Sequence, residues 1–260
     1  MFGEKERNIF EKLALDYPAI AIKFCRNRPL GFEQAEGKNA LCTFLGKAQK
    51  ENKAFYISVE NEDCMGKVAL GMEHLESPHC SMHLSGNMGK VFGAYRTSAP
   101  NARLYYEVPM LKPTAVNFVV FCPVSQCEFH PDLIICVADT KKAQILLRAS
   151  SYISGDLWES KSSFVLSCAW TYVHPYLSGK LNHVITGMHL GLAAKGSYPP
   201  SLHIISIPYQ KLGEMMEALE EMSWELDFMK NDEGAADRDA KKNVFVEGAG
   251  ADINYPLAVE

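Results

Sequence analysis

The chain has 260 residues, 47% hydrophobic and 22% charged, and its 26 basic and 31 acidic side chains leave a formal charge of −5. These are globular proportions with length enough for a sizeable core. They exclude a disordered chain, a collagen-like repeat and a coiled coil, and the acidic balance offers no electrostatic footprint for nucleic acid. The unusual feature is an abundance of soft and borderline ligand atoms: eight cysteines, eight histidines and eleven methionines.

The start, Met1-Phe2-Gly3-Glu4-Lys5-Glu6-Arg7, lacks the apolar run that a secretory signal places behind a basic start. Ile9, Phe10, Leu13 and Tyr17 recur at helical spacing, which predicts an amphipathic helix ending before Pro18. A strand is expected over residues 19–24, a helix over 39–51 and a weakly alternating strand over 54–59. Segment 61–100 is rich in Gly, His and Met and carries no clear period. Apolar, partly β-branched runs at 115–121 and 133–137 have the length of buried strands. Asp139 or Thr140 then caps a helix with Ala143, Leu146, Leu147 and Ser150 on one face. A strand at 202–207 and a helix from Tyr209 to about Met229 follow, the helix turning Glu214, Glu217, Glu220 and Glu221 to solvent. Residues 231–242 read as a charged turn region, and 244–246 as a last short strand.

This order lacks a strict β-α-β beat, so the expected class is α+β, a mixed sheet with packed helices in a single domain over residues 1–229, followed by a charged tail over 230–260. A weak echo between Gly66-Lys67…Gly71-Met72 and Gly179-Lys180…Gly187-Met188 fits a diverged internal duplication, and fits chance as well. No stretch offers the apolar length of a membrane span. A cytoplasmic protein with reduced thiols is the expectation.

Eight cysteines without a C-x-x-C pair lack the signature of a zinc knuckle, a thioredoxin-type dithiol or a ferredoxin run, so any shared site draws on distant segments. Cys136 lies inside an apolar strand and Cys25 at the end of one, as small hydrophobes do. Cys122 and Cys127 flank the loop Pro123-Val124-Ser125-Gln126 and face each other or solvent. Cys42 falls in the first turn of a helix, where the helix dipole favours a thiolate. Cys64 follows Glu60-Asn61-Glu62-Asp63, whose acids alone would raise its pKa, and precedes Gly66, which permits close backbone approach. Cys168 sits in an apolar run, and core packing explains it equally well. Cys80 belongs to His79-Cys80-Ser81-Met82-His83, the densest patch of metal-ligand types. Phosphate-loop, dinucleotide-binding, H-E-x-x-H and G-x-S-x-G signatures are absent.

Cys42 at a helix start, Cys64-Met65-Gly66 leading to Leu70-Gly71, Glu107-Val108-Pro109, His130-Pro131-Asp132-Leu133-Ile134, Ser167-Cys168, Thr186-Gly187 and Ile207-Pro208 together resemble the ArCR family of domain-of-unknown-function proteins, over about residues 10–225. The resemblance implies a cytosolic protein of archaea or bacteria, often anaerobes, which favours oxygen-sensitive iron–sulfur chemistry over copper, and it carries no established activity. Met65 stands where the family tends to a further glycine. The leading expectation is a metal or iron–sulfur cluster held by Cys42, Cys64 and Cys168, with Cys80 as a fourth ligand, Gly66 and Gly187 at the cofactor, and one coordination position open. The alternative is a metal-free small-molecule module with its pocket near Cys168 and Gly187. The partners expected are a small-molecule ligand or a redox partner, without nucleic acid or membrane.

Overall fold

The structure, a computed structural model, describes residues 2–225. Its elements run α1 (Glu4–Leu13), β1 (Tyr17–Cys25), α2 (Leu41–Glu51), β2 (Phe55–Ser58), then four short helices, α3 (Gly66–Ala69), α4 (Pro78–Leu84), α5 (Asn87–Val91) and α6 (Ser98–Glu107). The second half runs β3 (Phe118–Pro123), β4 (Leu133–Ala138), α7 (Thr140–Ser151), a π-helical turn (Ala169–Val173), α8 (His174–Ser178), β5 (Asn182–Ile185), α9 (Leu190–Lys195), β6 (His203–Pro208) and α10 (Tyr209–Glu221). The six strands form one sheet in the order β2-β3-β1-β4-β6-β5. The α+β class stands; within it, the six strands pair only antiparallel with one another where a mixed sheet was expected, and the parallel contacts are isolated bridges at Gln34–Tyr56 and Asn39–Glu62.

Both faces of the sheet are covered, which explains why its strands read as unbroken apolar runs rather than as alternating ones. All six residues of β4 are buried. Leu133, Ile135 and Val137 join the core cluster of Phe44 and Leu45 from α2. The intervening Ile134 and Cys136 point the other way by strand alternation, toward the layer built by α7 and α10. Phe44, Phe55, Phe121 and Tyr172 form an aromatic group on the first face, with ring centroids 5.6–6.4 Å apart. Burying these side chains is the main source of stability.

Several boundaries differ from expectation for identifiable reasons. The first helix begins at Glu4, where Glu6 Oε2 accepts the Gly3 N–H (2.9 Å), and ends with Ala14 in the left-handed conformation (φ 49°). Tyr17 therefore opens β1 instead of closing the helix. Pro18 has no N–H to give, and the ladder to β4 shifts register between Tyr17 and Ile20. The cap on α7 is as read: Asp139 Oδ1 accepts the Lys142 N–H at 2.8 Å. Segment 61–107 resolves into α3–α6, helices too short to stand alone. Gly86 holds a left-handed φ of 75°, and a Cβ there would fall on Ser98 O, so no side chain fits. The last helix stops at Glu221, eight residues short of its expected end; the turn region 231–242 and the strand 244–246 lie outside the described residues. Among the described residues no helix is long and apolar enough to cross a membrane.

Candidate functional site

On the α2 face of the sheet, a cavity of about 460 Å³ opens between the core and α4–α6. Its near wall comes from the start of α2 (Ala40, Leu41, Cys42, Leu45), the loop before α3 (Glu62, Cys64, Met65), the residues entering the π-helical turn (Val165–Cys168), and α9. Its far wall is His83 of α4, Met88 and Gly89 of α5, the following Phe92, and Asn101 and Tyr105 of α6. Three cysteines distant in sequence, Cys42, Cys64 and Cys168, thus line one cavity.

Glu62 organises this corner. The start of α2 has no side-chain cap of its own, and its Leu41 N–H instead donates to Glu62 Oε1 at 3.0 Å. Glu62 Oε2 accepts the N–H of Cys64 (2.8 Å) and of Lys67 (3.2 Å). One carboxylate therefore satisfies orphan amides of two helices and the loop carrying Cys64. Burial pushes its carboxyl up to about 7, against the lowering pull of those three amides. Gly66 makes the arrangement sterically feasible: a Cβ there would stand 2.7 Å from Leu41 Cδ1 and 2.9 Å from Glu62 Oε1. Its role is to seat Glu62, and it does not itself line the cavity.

All three thiols are pushed above the ordinary cysteine range. Burial, then the neighbouring Cys64, raises Cys42; burial, then Glu62, raises Cys64; burial, then Cys64, raises Cys168 well above the ordinary range. At Cys42 burial opposes the pull that a helix start exerts toward the thiolate. Lys195, the last residue of α9 and part of the cavity lining, pulls Cys42 and Cys64 partly back.

Two sequence-derived candidates stand off the wall. Cys80 is fully buried behind it, packed with Met65, Val68, Tyr105 and Val165, and does not line the cavity. Gly187 donates its N–H to Pro200 O at 2.9 Å, and a Cβ there would meet Pro200 at 2.6 Å. Its glycine serves that close approach rather than the cavity. Among the described residues no group of three or more His, Cys, Asp or Glu side chains is placed to hold a metal ion.

Other lining residues carry no mark in the sequence. Asn101 is fully buried and donates Nδ2 to Gly86 O (3.2 Å), while its Oδ1 has no hydrogen-bond partner. Gly89 leaves it room, since a Cβ there would meet the Asn101 amide at 2.5 Å. Tyr105 brings its hydroxyl within 3.3 Å of His83 Nδ1. Leu166, two residues before Cys168, holds a left-handed φ of 60°, a strained conformation for a leucine at the cavity wall.

The uncharacterised ArCR family, DUF169, matches residues 8–218. The chain is also similar to an uncharacterised protein of Methanocaldococcus jannaschii, 22% identical over 220 residues that cover 84% of this chain and 93% of that one. No solved structure matches it.

Proposed function

The chain belongs to the ArCR family, and on that premise we propose that it binds a small, largely apolar molecule in this cavity, with the three thiols, Glu62 and Asn101 meeting the ligand's polar end. The carrying observation is the cavity itself. At about 460 Å³ it falls within the range of small-molecule clefts, and apolar side chains make up most of its wall around a few polar groups. The buried, unpartnered Asn101 Oδ1 calls for a donor on the ligand, because an unsatisfied buried acceptor costs about 1–3 kcal/mol. Glu62, with its carboxyl near neutrality, is suited to exchange a proton there.

Gly191 supplies the test. It lines the cavity, and a Cβ added to it meets nothing within 4 Å. Titration with an apolar fluorophore such as anilinonaphthalene sulfonate is expected to saturate at one site. Gly191→Phe should weaken that binding at least tenfold with an unchanged melting temperature. Equal binding by both proteins would overturn the reading.

A second reading is favoured by the convergence of Cys42, Cys64 and Cys168 on one cavity. In it those three thiolates hold an iron–sulfur cluster with one iron open to the cavity, and the cluster would supply electron transfer or a Lewis-acid position. Cys80, behind the wall, is not part of this set. Anaerobically purified protein should then absorb near about 400 nm and carry about four irons per chain. A colourless, iron-free preparation leaves the metal-free reading.

A further inference from the structure

Helix α6 turns polar groups inward. Its two buried residues are Asn101 and Tyr105, one helical turn apart and both on the cavity wall, while Arg103, Tyr106 and Glu107 face solvent. Gly86 O can only accept, so it draws the Nδ2 end of the Asn101 amide and leaves Oδ1 turned away from it. That Oδ1 is an acceptor with no donor, on a side chain with no exposure at all. Such a group is costly to leave unmet. The fold nonetheless makes room for it at Gly89, where a Cβ would stand 2.5 Å from the Asn101 amide.

Tyr105 supplies the opposite polarity. Its hydroxyl lies 3.3 Å from His83 Nδ1. With the imidazole proton on Nδ1, the hydroxyl oxygen accepts it, and the phenolic proton is left to donate into the cavity. The surrounding wall is aromatic and rich in sulfur. Phe92 and Tyr172 line it, with Met65 on the near wall and Met88 on the far one. Such surfaces suit the faces and edges of a flat ring.

We propose, resting on the cavity reading above, that the ligand is a flat aromatic lactam, whose ring N–H donates to Asn101 Oδ1 and whose neighbouring C=O accepts from the Tyr105 hydroxyl. A ring amide carries that donor and that acceptor side by side on one edge, and the rest of the molecule is apolar. A ring ester or ether of the same shape brings no donor and leaves Oδ1 buried and unmet. A carboxylate sets acceptor against acceptor at the same atom.

The test is a matched pair of probes. Carbostyril and coumarin are bicyclic molecules of one shape, and both carry the carbonyl; the lactam N–H of the first is a ring oxygen in the second. Isothermal titration calorimetry on the full, reduced chain should give carbostyril a Kd about tenfold or more below that of coumarin. Asn101→Leu removes the acceptor and should abolish that preference, chiefly by weakening carbostyril. Tyr105→Phe removes the donor that both carbonyls share, so it should weaken both probes and keep their ratio. Equal Kd values in the wild-type chain would overturn the inference, because a water then serves Oδ1 whatever the probe. No binding of either probe would overturn it as well. Saturable binding of anilinonaphthalene sulfonate by the same protein would then leave the cavity reading standing, and its absence would remove that reading too. The wild-type comparison decides even if a variant fails to fold.

Discussion

The two groups of thiols, one lining the cavity and one under the β3 turn, differ in opposite respects. Cys42, Cys64 and Cys168 face an open volume, yet burial raises all three, and each would oppose the ionisation of the others. Cys122 and Cys127 line no part of that cavity; both are buried, and each donates to a backbone carbonyl, Cys122 to Pro123 O at 3.5 Å and Cys127 to Phe129 O at 3.4 Å. Burial alone therefore does not define a cysteine's surroundings here. The cavity thiols face a volume that a ligand can enter, and the turn thiols are held by the backbone.

Four perturbations sharpen this contrast, from the largest effect to the smallest. Glu62→Ala leaves the Leu41 and Cys64 amides without their acceptor, and Lys67 with only its longer bond to Cys64 O; it should cost about 4 kcal/mol of stability in urea unfolding, with no change in the alkylation of Cys122 and Cys127. Next comes pH. The Glu62 carboxyl rises from 4.5 to about 7 on folding, so the folded chain holds this proton more tightly. Its contribution to stability is fullest below pH 4.5 and declines as pH rises to about 7, by on the order of 3 kcal/mol. Unfolding midpoints measured across that window should fall in wild type and fall less in Glu62→Gln; parallel curves would contradict the raised carboxyl. Gly66→Ala forces a methyl against Leu41 and Glu62 and should cost about 2 kcal/mol, again read in urea. The smallest effect falls on the cavity thiols alone. Lys195→Ala should slow alkylation of Cys42 and Cys64 several-fold and leave Cys127 unchanged. Equal slowing of both groups would erase the distinction between them.

Much of the fold was legible because its cause was local or repeated. Strands buried on both faces left continuous apolar runs such as Ile134-Ile135-Cys136-Val137, and α7 announced itself through Asp139 and its apolar stripe. Segment 61–100 was not legible, since its short helices pack through close approaches at Gly66, Gly86 and Gly89, which no period records. In the site, the three cysteines could be picked out by residue type and by resemblance. Glu62 could not: its role depends on amides at positions 41, 64 and 67 meeting one carboxylate, and in the sequence it is one of the three acids of Glu60-Asn61-Glu62-Asp63. Asn101 and Lys195 became visible only once α6 and α9 had opposite walls to occupy.

The place of β1 at the middle of the sheet has a consequence in time. It pairs with β3 on one side and β4 on the other, and the β4 side leads on through β6 to β5. Cys168 follows Cys64 by 168 − 64 = 104 residues, so the α2 side of the cavity is synthesised well before the segment that closes it. Contacts of such sequence separation form late in folding. A growing chain presents Cys42 and Cys64 as accessible thiols until the π-helical turn arrives to cover them, and whatever the cavity holds has its easiest entry during that interval.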